Sequence, residues 1–568
     1  MLVLGIQKDH HTSVCAYEND KLIYYCEEER LSKEKKSTEL PVHCLNQFIK
    51  NYSKKIDMAI ITGYDTDGSV ATIASYLKYL KLINNIEGQI FAFYKSHHLL
   101  HAAKSFYNSG FEKSFVFVVD GRGSSYNLNN GGCAYETSSV YLFENPNNIN
   151  CLYKRCYTNS EITPNLKLNL NHEHSLHYKI YPISLSEKTK VEIFNNELDL
   201  GLFYSQCSLH YNFFKEEGKL MGLSSYGQKN KKMENILNAD DFFFKKLGDQ
   251  YHLCFLNIKK YPELIMNVEN EKSLMDLSFL IQEKFENKYF DFITKKFDSK
   301  ISNNIILTGG TALNVVNNYK LKQKLKNVNL FVEPLCGDEG NSIAACQFFL
   351  KFINPNLKFD KFKNLFIGNK YNYNIKIDDN EIISKKINLE EVVNLLLKGK
   401  VIALYQGRAE AGPRALGNRS LLLDPRIKNG KDIMNLIKKR EKFRPFACSI
   451  LKEKVHDWFD MAGLEESPFM MYAVNCLKNL DKKIPSVVHV DGTCRVQTIT
   501  EEYNKILYLL LKIFEEKTNC PLLMNTSFNL AGDPLVETPE DAIDTLKKSK
   551  LEYIYFADSE ILVYKKKR

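Results

Sequence analysis

Apolar residues along this chain fall in short runs set between polar turns. Leu2–Ile6 is one such run, with Lys21–Cys26 and Met58–Ile61 after it. Runs of this length suit strands. Glu18-Asn19-Asp20 is a natural turn between the first two, so the chain is predicted to open on a hairpin. Apolar positions at helical spacing predict a helix around Ala74–Leu82. Ser114–Val119 is a continuous apolar run, as a buried strand would be, and it ends in the polar glycine turn Asp120-Gly121-Arg122-Gly123. Ile305–Leu307 runs into Thr308-Gly309-Gly310-Thr311. Leu330–Val332 precedes a loop over Pro334–Asn341, with a helix from near Ser342. Strand, glycine loop and helix in alternation predict an α/β fold, with its chemistry at the C-terminal ends of strands.

Two regions break the pattern. From about Glu144 to Asn196 the chain is polar and rich in asparagine, and reads as a strand-and-loop insertion before order returns at Leu200–Phe213. Ile353–Asp379 holds prolines, asparagines and lysines without periodicity, so a domain boundary is expected near 365–385. The expected bodies are 1–365 and 380–568, the second opening on the apolar run Val401–Tyr405.

Length supports more than one body, since 568 residues exceed a single ordinary core. With 44% hydrophobic and 26% charged residues, the composition is that of a globular protein. The net charge of +9 comes from scattered lysines, with the run Lys565–Lys567 at the end, and not from one basic block. A nucleic-acid partner is therefore not expected. The start of the chain lacks the pattern of a secretory signal, and no run approaches the length that spans a bilayer, so no membrane partner is expected. Fourteen cysteines at irregular spacing, without a CxxC pair, speak against a disulfide scaffold and a thiolate zinc site. A reducing cytoplasm is the expected compartment.

Three constellations could carry chemistry. In His97-His98-Leu99-Leu100-His101 the outer histidines are four apart, on one face of a helix, as two imidazole ligands of a metal need to be. Asp120 and Asp338 would complete a nitrogen–oxygen set suited to iron, manganese or zinc. The bland alternative is a histidine pair on an ordinary helix. Second, Gly309 and Gly310, with Asn314 after them, would let backbone N–H groups approach a phosphate or a ribose, unless they form only a tight turn.

The third is the densest. Gln406, Gly407, Arg408, Gly412, Arg414, Gly417, Asn418, Arg419 and Ser420 bring three arginines and three glycines within 13 residues, between apolar runs. Glycine permits close backbone approach, and arginine grips phosphate bidentately. Lys439, Arg444, His489, Arg495, Asn525, Ser527 and Asn529 follow in short polar blocks. Together they read as a site for a nucleotide and a phosphorylated co-substrate. His172, His174 and His177 read as solvated loop histidines.

These blocks, in this order, resemble the O-carbamoyltransferases of antibiotic and nodulation-factor biosynthesis, the tobramycin and cephamycin enzymes among them. The likeness runs through Glu27-Glu28-Glu29-Arg30, His97-His98-x-x-His101-Ala102, Lys219-Leu220-Met221-Gly222-Leu223 and Gly337-Asp338. It continues through Gly412-Pro413-Arg414-Ala415-Leu416-Gly417-Asn418-Arg419-Ser420, Phe443-Arg444-Pro445-Phe446, His489-Val490-Asp491-Gly492-Thr493-x-Arg495 and Asn525-Thr526-Ser527-Phe528-Asn529.

The resemblance implies an actin-like N-terminal domain, of duplicated ribonuclease-H-like type, followed by a YrdC-like α/β domain. It implies that carbamoyl phosphate and ATP, with Mg2+, form carbamoyl-adenylate in the second domain. The first would then pass the carbamoyl group to a hydroxyl of a small-molecule or carbohydrate acceptor. By that likeness His97, His101, Asp120 and Asp338 would bind a divalent metal, Fe(II) by the family pattern. Arg414, Arg419, Arg444, His489 and Arg495 would act on the phosphorylated substrates, and His10 would assist transfer. The family usually continues from that histidine with Asp-Ser-Ser; here His11-Thr12-Ser13 follows, which leaves His10 and His11 both open. The acceptor is not implied, and a homo-oligomer is left open. Rival readings are a tRNA-modifying threonylcarbamoyl enzyme and a non-catalytic nucleotide-binding protein. A sugar kinase is disfavoured, because Gly5-Ile6-Gln7-Lys8-Asp9-His10 is no phosphate loop of the Asp-Gly-Thr type.

Overall fold

The opening hairpin forms as the pattern predicts: strand Leu2–Gln7 pairs antiparallel with Ser13–Glu18. The computed structural model describes residues 1–8, 10–52, 54–63, 75–76, 78, 89–93, 95–169, 179–180, 188–195, 199–210, 217–231, 243–247, 250–254, 271–372 and 381–566. Most of the helix expected over Ala74–Leu82, and all of His172, His174 and His177, lie outside these residues.

The chain forms two compact units. One comprises Met1–Ile23, Thr38–Pro41 and Leu45–Lys361; the other comprises Tyr24–Ser37, Val42–Cys44 and Phe362–Arg568. The expected N-terminal body held all of 1–365, whereas Tyr24–Ser37 groups with the second unit. Both units mix helices with β-sheet, so the fold is α/β.

Besides the hairpin of Phe243–Leu247 and Gln250–Cys254, the first unit holds two larger sheets with one strand order. In the first, Lys21–Ile23 (the start of strand Lys21–Glu27), Ser13–Glu18, Leu2–Gln7, Met58–Thr62 and Gln89–Ala92 lie side by side, the last three parallel. In the second, Asn148–Thr158, Cys133–Glu144, Lys113–Val119, Asn304–Thr308 and Asn329–Val332 repeat that arrangement, again with the last three parallel. Helix Asn341–Ile353 packs on the first sheet and against helix His97–Ser109, which packs on the second. The approach is close: a Cβ on Gly5 would lie 2.8 Å from Cys346 Sγ. Leu2–Gln7 is therefore buried along its whole length.

The asparagine-rich stretch is only partly an insertion. Residues Asn148–Thr158 pair along nearly the full length of Cys133–Glu144 and supply the third strand of the second sheet. Polar side chains hid this strand, because its first five residues alternate between exposed and partly exposed positions.

The second unit is built on a ten-stranded sheet. Its order is Ile382–Lys386, Ile561–Lys565, Tyr553–Phe556, Ile402–Tyr405, Arg419–Leu423, Leu522–Ser527, Ala447–Leu451, Thr493–Ile499, Ala473–Cys476 and Phe459–Asp460. The Gln406–Asn418 loop joins two adjacent antiparallel strands, Ile402–Tyr405 and Arg419–Leu423. Arg419 faces Tyr405 and Ser420 faces Ser527 in register, so the loop and the Asn525–Asn529 block share one end of the sheet.

Candidate metal and phosphate sites

Each unit gathers one set of candidate residues. In the first, His97 begins helix His97–Ser109 and His101 sits one turn on, both buried. Asp120 follows strand Lys113–Val119, and Asp338 opens the turn before helix Asn341–Ile353. All four lie near the C-terminal ends of parallel strands or the starts of helices. Their candidate ligand atoms lie within 4.8 Å of one another.

The geometry fits a metal ion. His97 Nε2 and His101 Nε2 are 3.2 Å apart, and Asp338 Oδ1 lies 3.3 Å from the first and 3.2 Å from the second. Asp120 Oδ2 is 3.6 Å and 3.5 Å from the same nitrogens. Ligands about 2.1 Å from a shared ion stand roughly 3.0–3.4 Å apart in octahedral or tetrahedral geometry; the His97, His101 and Asp338 spacings fall in that range, and those to Asp120 lie just above it. Asp120 Oδ2 is buried and takes no hydrogen bond, the position of an atom reserved for a cation. Burial lowers the proton affinity of His97, but the Asp338 and Asp120 carboxylates outweigh it and hold the imidazole well above its ordinary range. Burial would raise Asp338, yet His97 and His101 carry it well below the usual carboxylate value.

His10 and His11 separate here. His10 Nδ1 lies 3.7 Å from Asp338 Oδ2, whereas His11 Nδ1 lies 3.4 Å from Glu339 Oε2. Gly309 and Gly310 are engaged in packing. A Cβ on Gly309 would lie 2.5 Å from the Val119 carbonyl, and one on Gly310 would lie 3.0 Å from Asp120 Oδ1. Asn314 caps helix Val315–Lys324 by accepting from the Asn317 N–H, and exchanges hydrogen bonds with Gln282. The expected nucleotide loop thus supports the Asp120 turn.

Two residues that the sequence reading missed hold this site. Asn341 Nδ2 lies 3.3 Å from His101 Nε2. Glu136, fully buried beside Lys154, accepts hydrogen bonds from the N–H groups of His98 (3.1 Å) and Ser124 (3.0 Å). It therefore ties the start of the histidine helix to the turn after Asp120. Its only sequence signal is a charged residue inside a mostly apolar strand.

In the second unit, most residues of the arginine-glycine loop build the loop itself. Glu410 Oε1 accepts from the N–H groups of Leu416 (3.0 Å), Asn418 (2.7 Å) and Arg419 (2.9 Å). Arg419, expected on phosphate, is fully buried; it donates to the carbonyls of Gln406 (2.6 Å) and Asn418 (3.0 Å) and stacks 3.6 Å from the Tyr405 ring centre. Arg408 donates to the carbonyls of Gly368 and Ile367. Gln406 donates to the Gly417 carbonyl, Asn418 to the Arg408 carbonyl, and Asn525 to Ser449 Oγ. Ser420 is buried in its strand. Gly417, at φ 116°, packs where a Cβ would lie 2.7 Å from Leu507.

Five further cations of this unit, Arg414, Arg440, Arg444, Arg495 and Lys438, are candidates to meet an anion; of these Arg440 donates to Asn435 Oδ1 at 2.9 Å and Arg444 Nε lies 3.3 Å from Glu441 Oε2. Burial, then Arg414 and Arg440, hold Arg495 well below the usual guanidinium range, and its Nε is buried without a hydrogen bond. Burial and Arg444 bring Arg440 to about 9, against an opposing pull from Glu441. Burial, then Arg440, Lys35 and Arg444, push Lys438 well down. Like charges held this close favour binding of an anion that offsets them. Lys438 also donates to Ser527 Oγ (3.2 Å) and Asn529 Oδ1 (2.8 Å), so Ser527 and Asn529 do join this cluster. Lys439, the expected lysine, is exposed and closes its helix at φ 54°. The signal for Lys438 was its place on the face of Met434 and Ile437, at helical spacing. Buried His489 lies with Nδ1 3.5 Å from Asp491 Oδ1.

Comparison with known proteins agrees with this division. The carbamoyltransferase N-terminus family matches residues 79–346, and the carbamoyltransferase C-terminus family matches 393–564. Nodulation protein NolNO of Sinorhizobium fredii is 26% identical, over 96% of this chain and 77% of its own. The 3'-hydroxymethylcephem-O-carbamoyltransferase of Streptomyces clavuligerus is 27% identical, over 58% and 61%. An uncharacterised protein of Synechocystis is 28% identical, over 81% and 74%. The chain belongs to the carbamoyltransferase family, and is thereby a group-transfer enzyme. No helix among the described residues is long and apolar enough to cross a membrane.

Proposed function

We propose that the chain is an ATP-dependent O-carbamoyltransferase acting on a hydroxyl of a small-molecule or carbohydrate acceptor. The observation that carries this reading is the cationic end of the second unit's sheet, where Lys438 donates to Ser527 Oγ and Asn529 Oδ1 and the Arg495 Nε is buried without a hydrogen bond, an arrangement that a phosphorylated substrate would complete. The family fixes the transferred group; the cation cluster supports an activation step with two phosphorylated substrates, Mg2+-ATP and carbamoyl phosphate.

The chemistry balances in three bond changes. Water cleaves carbamoyl phosphate to carbamate and inorganic phosphate. A carbamate oxygen then attacks the α-phosphorus of ATP, and pyrophosphate leaves with the broken bond's electrons. In the first unit the acceptor oxygen attacks the carbonyl carbon of carbamoyl-adenylate, AMP leaves, and the hydroxyl proton passes to His10. Arg414, Arg444 and Arg495 neutralise phosphate charge, and Lys438 orders Ser527 and Asn529 beside them. We assign His97, His101, Asp120 and Asp338 as ligands of a divalent metal, Fe(II) by family likeness; when bound it would supply Lewis acidity toward the carbonyl. Splitting one acyl transfer into activation and transfer lowers each barrier. We read the first unit as an actin-like pair of ribonuclease-H-like folds, supported by its repeated strand order, and the second as YrdC-like.

The test is pyrophosphate release from ATP with and without carbamoyl phosphate, with mass spectrometry of an acceptor pool for the carbamoyl mass gain. Release that does not depend on carbamoyl phosphate would overturn the reading.

A further inference from the structure

The Glu27-Glu28-Glu29-Arg30 block is far in sequence from the arginine-glycine loop, yet it belongs to the same unit. Glu27 and Arg30 are both buried and paired, Arg30 Nη2 lying 3.2 Å from Glu27 Oε2. Together they grip one residue of the arginine-glycine loop. Glu27 Oε1 accepts from the Gly412 N–H at 2.7 Å, and Arg30 Nη2 donates to the Gly412 carbonyl at 2.8 Å. Tyr25 steadies the carboxylate from its own strand, donating to Glu27 Oε1 at 3.1 Å.

The two groups held on Gly412 lie in successive peptide planes, before and after its Cα. Gly412 needs this external hold, because at φ 83° it has the freedom that only glycine has. The next residue is Pro413, whose ring fixes its own φ. Once both planes of Gly412 are set, little backbone freedom remains before the Cα of Arg414. The neighbouring hydrogen bonds agree: the Ala411 N–H donates to the Leu365 carbonyl at 2.8 Å and the Ala409 N–H to the Asn369 carbonyl at 2.9 Å. The stretch just before Arg414 is thus held on one side by 365–369 and at its end by Glu27 and Arg30.

We infer that Glu27 and Arg30 are positioning residues for the activation step: the pair clamps Gly412 and so sets Arg414 for the phosphate of the co-substrate. Segment Tyr24–Ser37 is then a working part of the second unit. This inference rests on the proposed function for the identity of the phosphorylated substrate, but the clamp itself does not.

The experiment uses the full chain with R30M, R30K, E27Q, R414A and the R30M/R414A double variant. The first readout is kcat/KM for carbamoyl phosphate in pyrophosphate release. R30M is expected to lose at least tenfold, R30K less, and the double variant no more than R414A alone, because Arg30 acts through Arg414. Losses that multiply in the double variant would overturn the inference, since they would give Arg30 a separate role. The second readout is hydrogen exchange of the peptide spanning 409–417, where E27Q should remove protection that the wild type shows; unchanged protection would also overturn it. Should the wild type release no pyrophosphate, the proposed function fails, and inorganic phosphate serves as the probe. R30M and R414A should then weaken its binding non-additively, and independent effects would sink the clamp as well.

Discussion

Asp338 Oδ1 lies 3.2 Å from His101 Nε2, although 237 residues separate the two in the chain. The aspartate opens the turn before the helix that packs on the first sheet, and the histidine sits on the helix that packs on the second. Two sheets of one strand order thus each bring a helix start to the same point. Removing either partner should remove the metal. H101A or D338N, purified without chelator, is expected to hold less than a tenth of the wild-type divalent metal by elemental analysis, with the secondary structure unchanged. Stoichiometric metal in both variants would rule out this ligand set.

Arg414 and Arg419 should behave oppositely. R414A removes a cation from the cluster and leaves the Glu410 and Arg419 bonds that hold the loop in place. It is expected to cost about 2–4 kcal/mol in the transition state of activation, roughly 30- to 1,000-fold in pyrophosphate release. R419A strips buried carbonyls of their donor and empties the space over Tyr405. It should destabilise the fold by about 3 kcal/mol or more. Urea titration and pyrophosphate release on both proteins would separate the two. A stable R419A with only the activity lost would return Arg419 to the phosphate.

The contrast shows where sequence reading stops. The motif placed both arginines on one loop, and only burial distinguishes Arg419, which holds the loop, from Arg414, which is proposed to meet the phosphate. Lys438 and Lys439 are adjacent, and helical phase, not residue type, decides which one points inward. The alternation of strand and glycine loop was legible because apolar runs mark buried strands. Asn148–Thr158 was not, since its first five residues are at least partly exposed and include asparagine side chains. The histidine spacing was legible because it is local, while Glu27 with Gly412 and Glu136 with His98 are tertiary pairs that no local pattern announces.

His98 should make stability depend on pH. It is fully buried, and burial brings its imidazole down to about 3 from 6.5, against the pull of Glu136. Its folded value is depressed, so the contribution is complete above the unfolded value near 6.5 and declines as pH falls toward 3. Between pH 6.5 and 5 the loss should approach about 1.4 kcal/mol per pH unit, roughly 2 kcal/mol in all. H98N, keeping a polar group toward Ser139, should flatten that part of the profile. Unfolding free energies of wild type and H98N at pH 7, 6 and 5 measure it, and parallel profiles would exclude His98 as the source.

The last prediction separates the two steps. The histidine–aspartate set lies in the first unit, and Arg414, Arg440, Arg495 and Lys438 lie in the second. Compact units with their own cores tend to fold and bind on their own. H101A should therefore release pyrophosphate at close to the wild-type rate while delivering no carbamoyl group to an acceptor. R414A should show the reverse once supplied with preformed carbamoyl-adenylate: transfer should return, because no residue of the first set has changed. Each variant needs two assays, pyrophosphate for activation and carbamoylated product for transfer, with a melting curve to show that it is folded. If folded H101A loses both activities, the metal residues act in activation as well. The assignment of one step to each unit would then give way to a single site that carries out both.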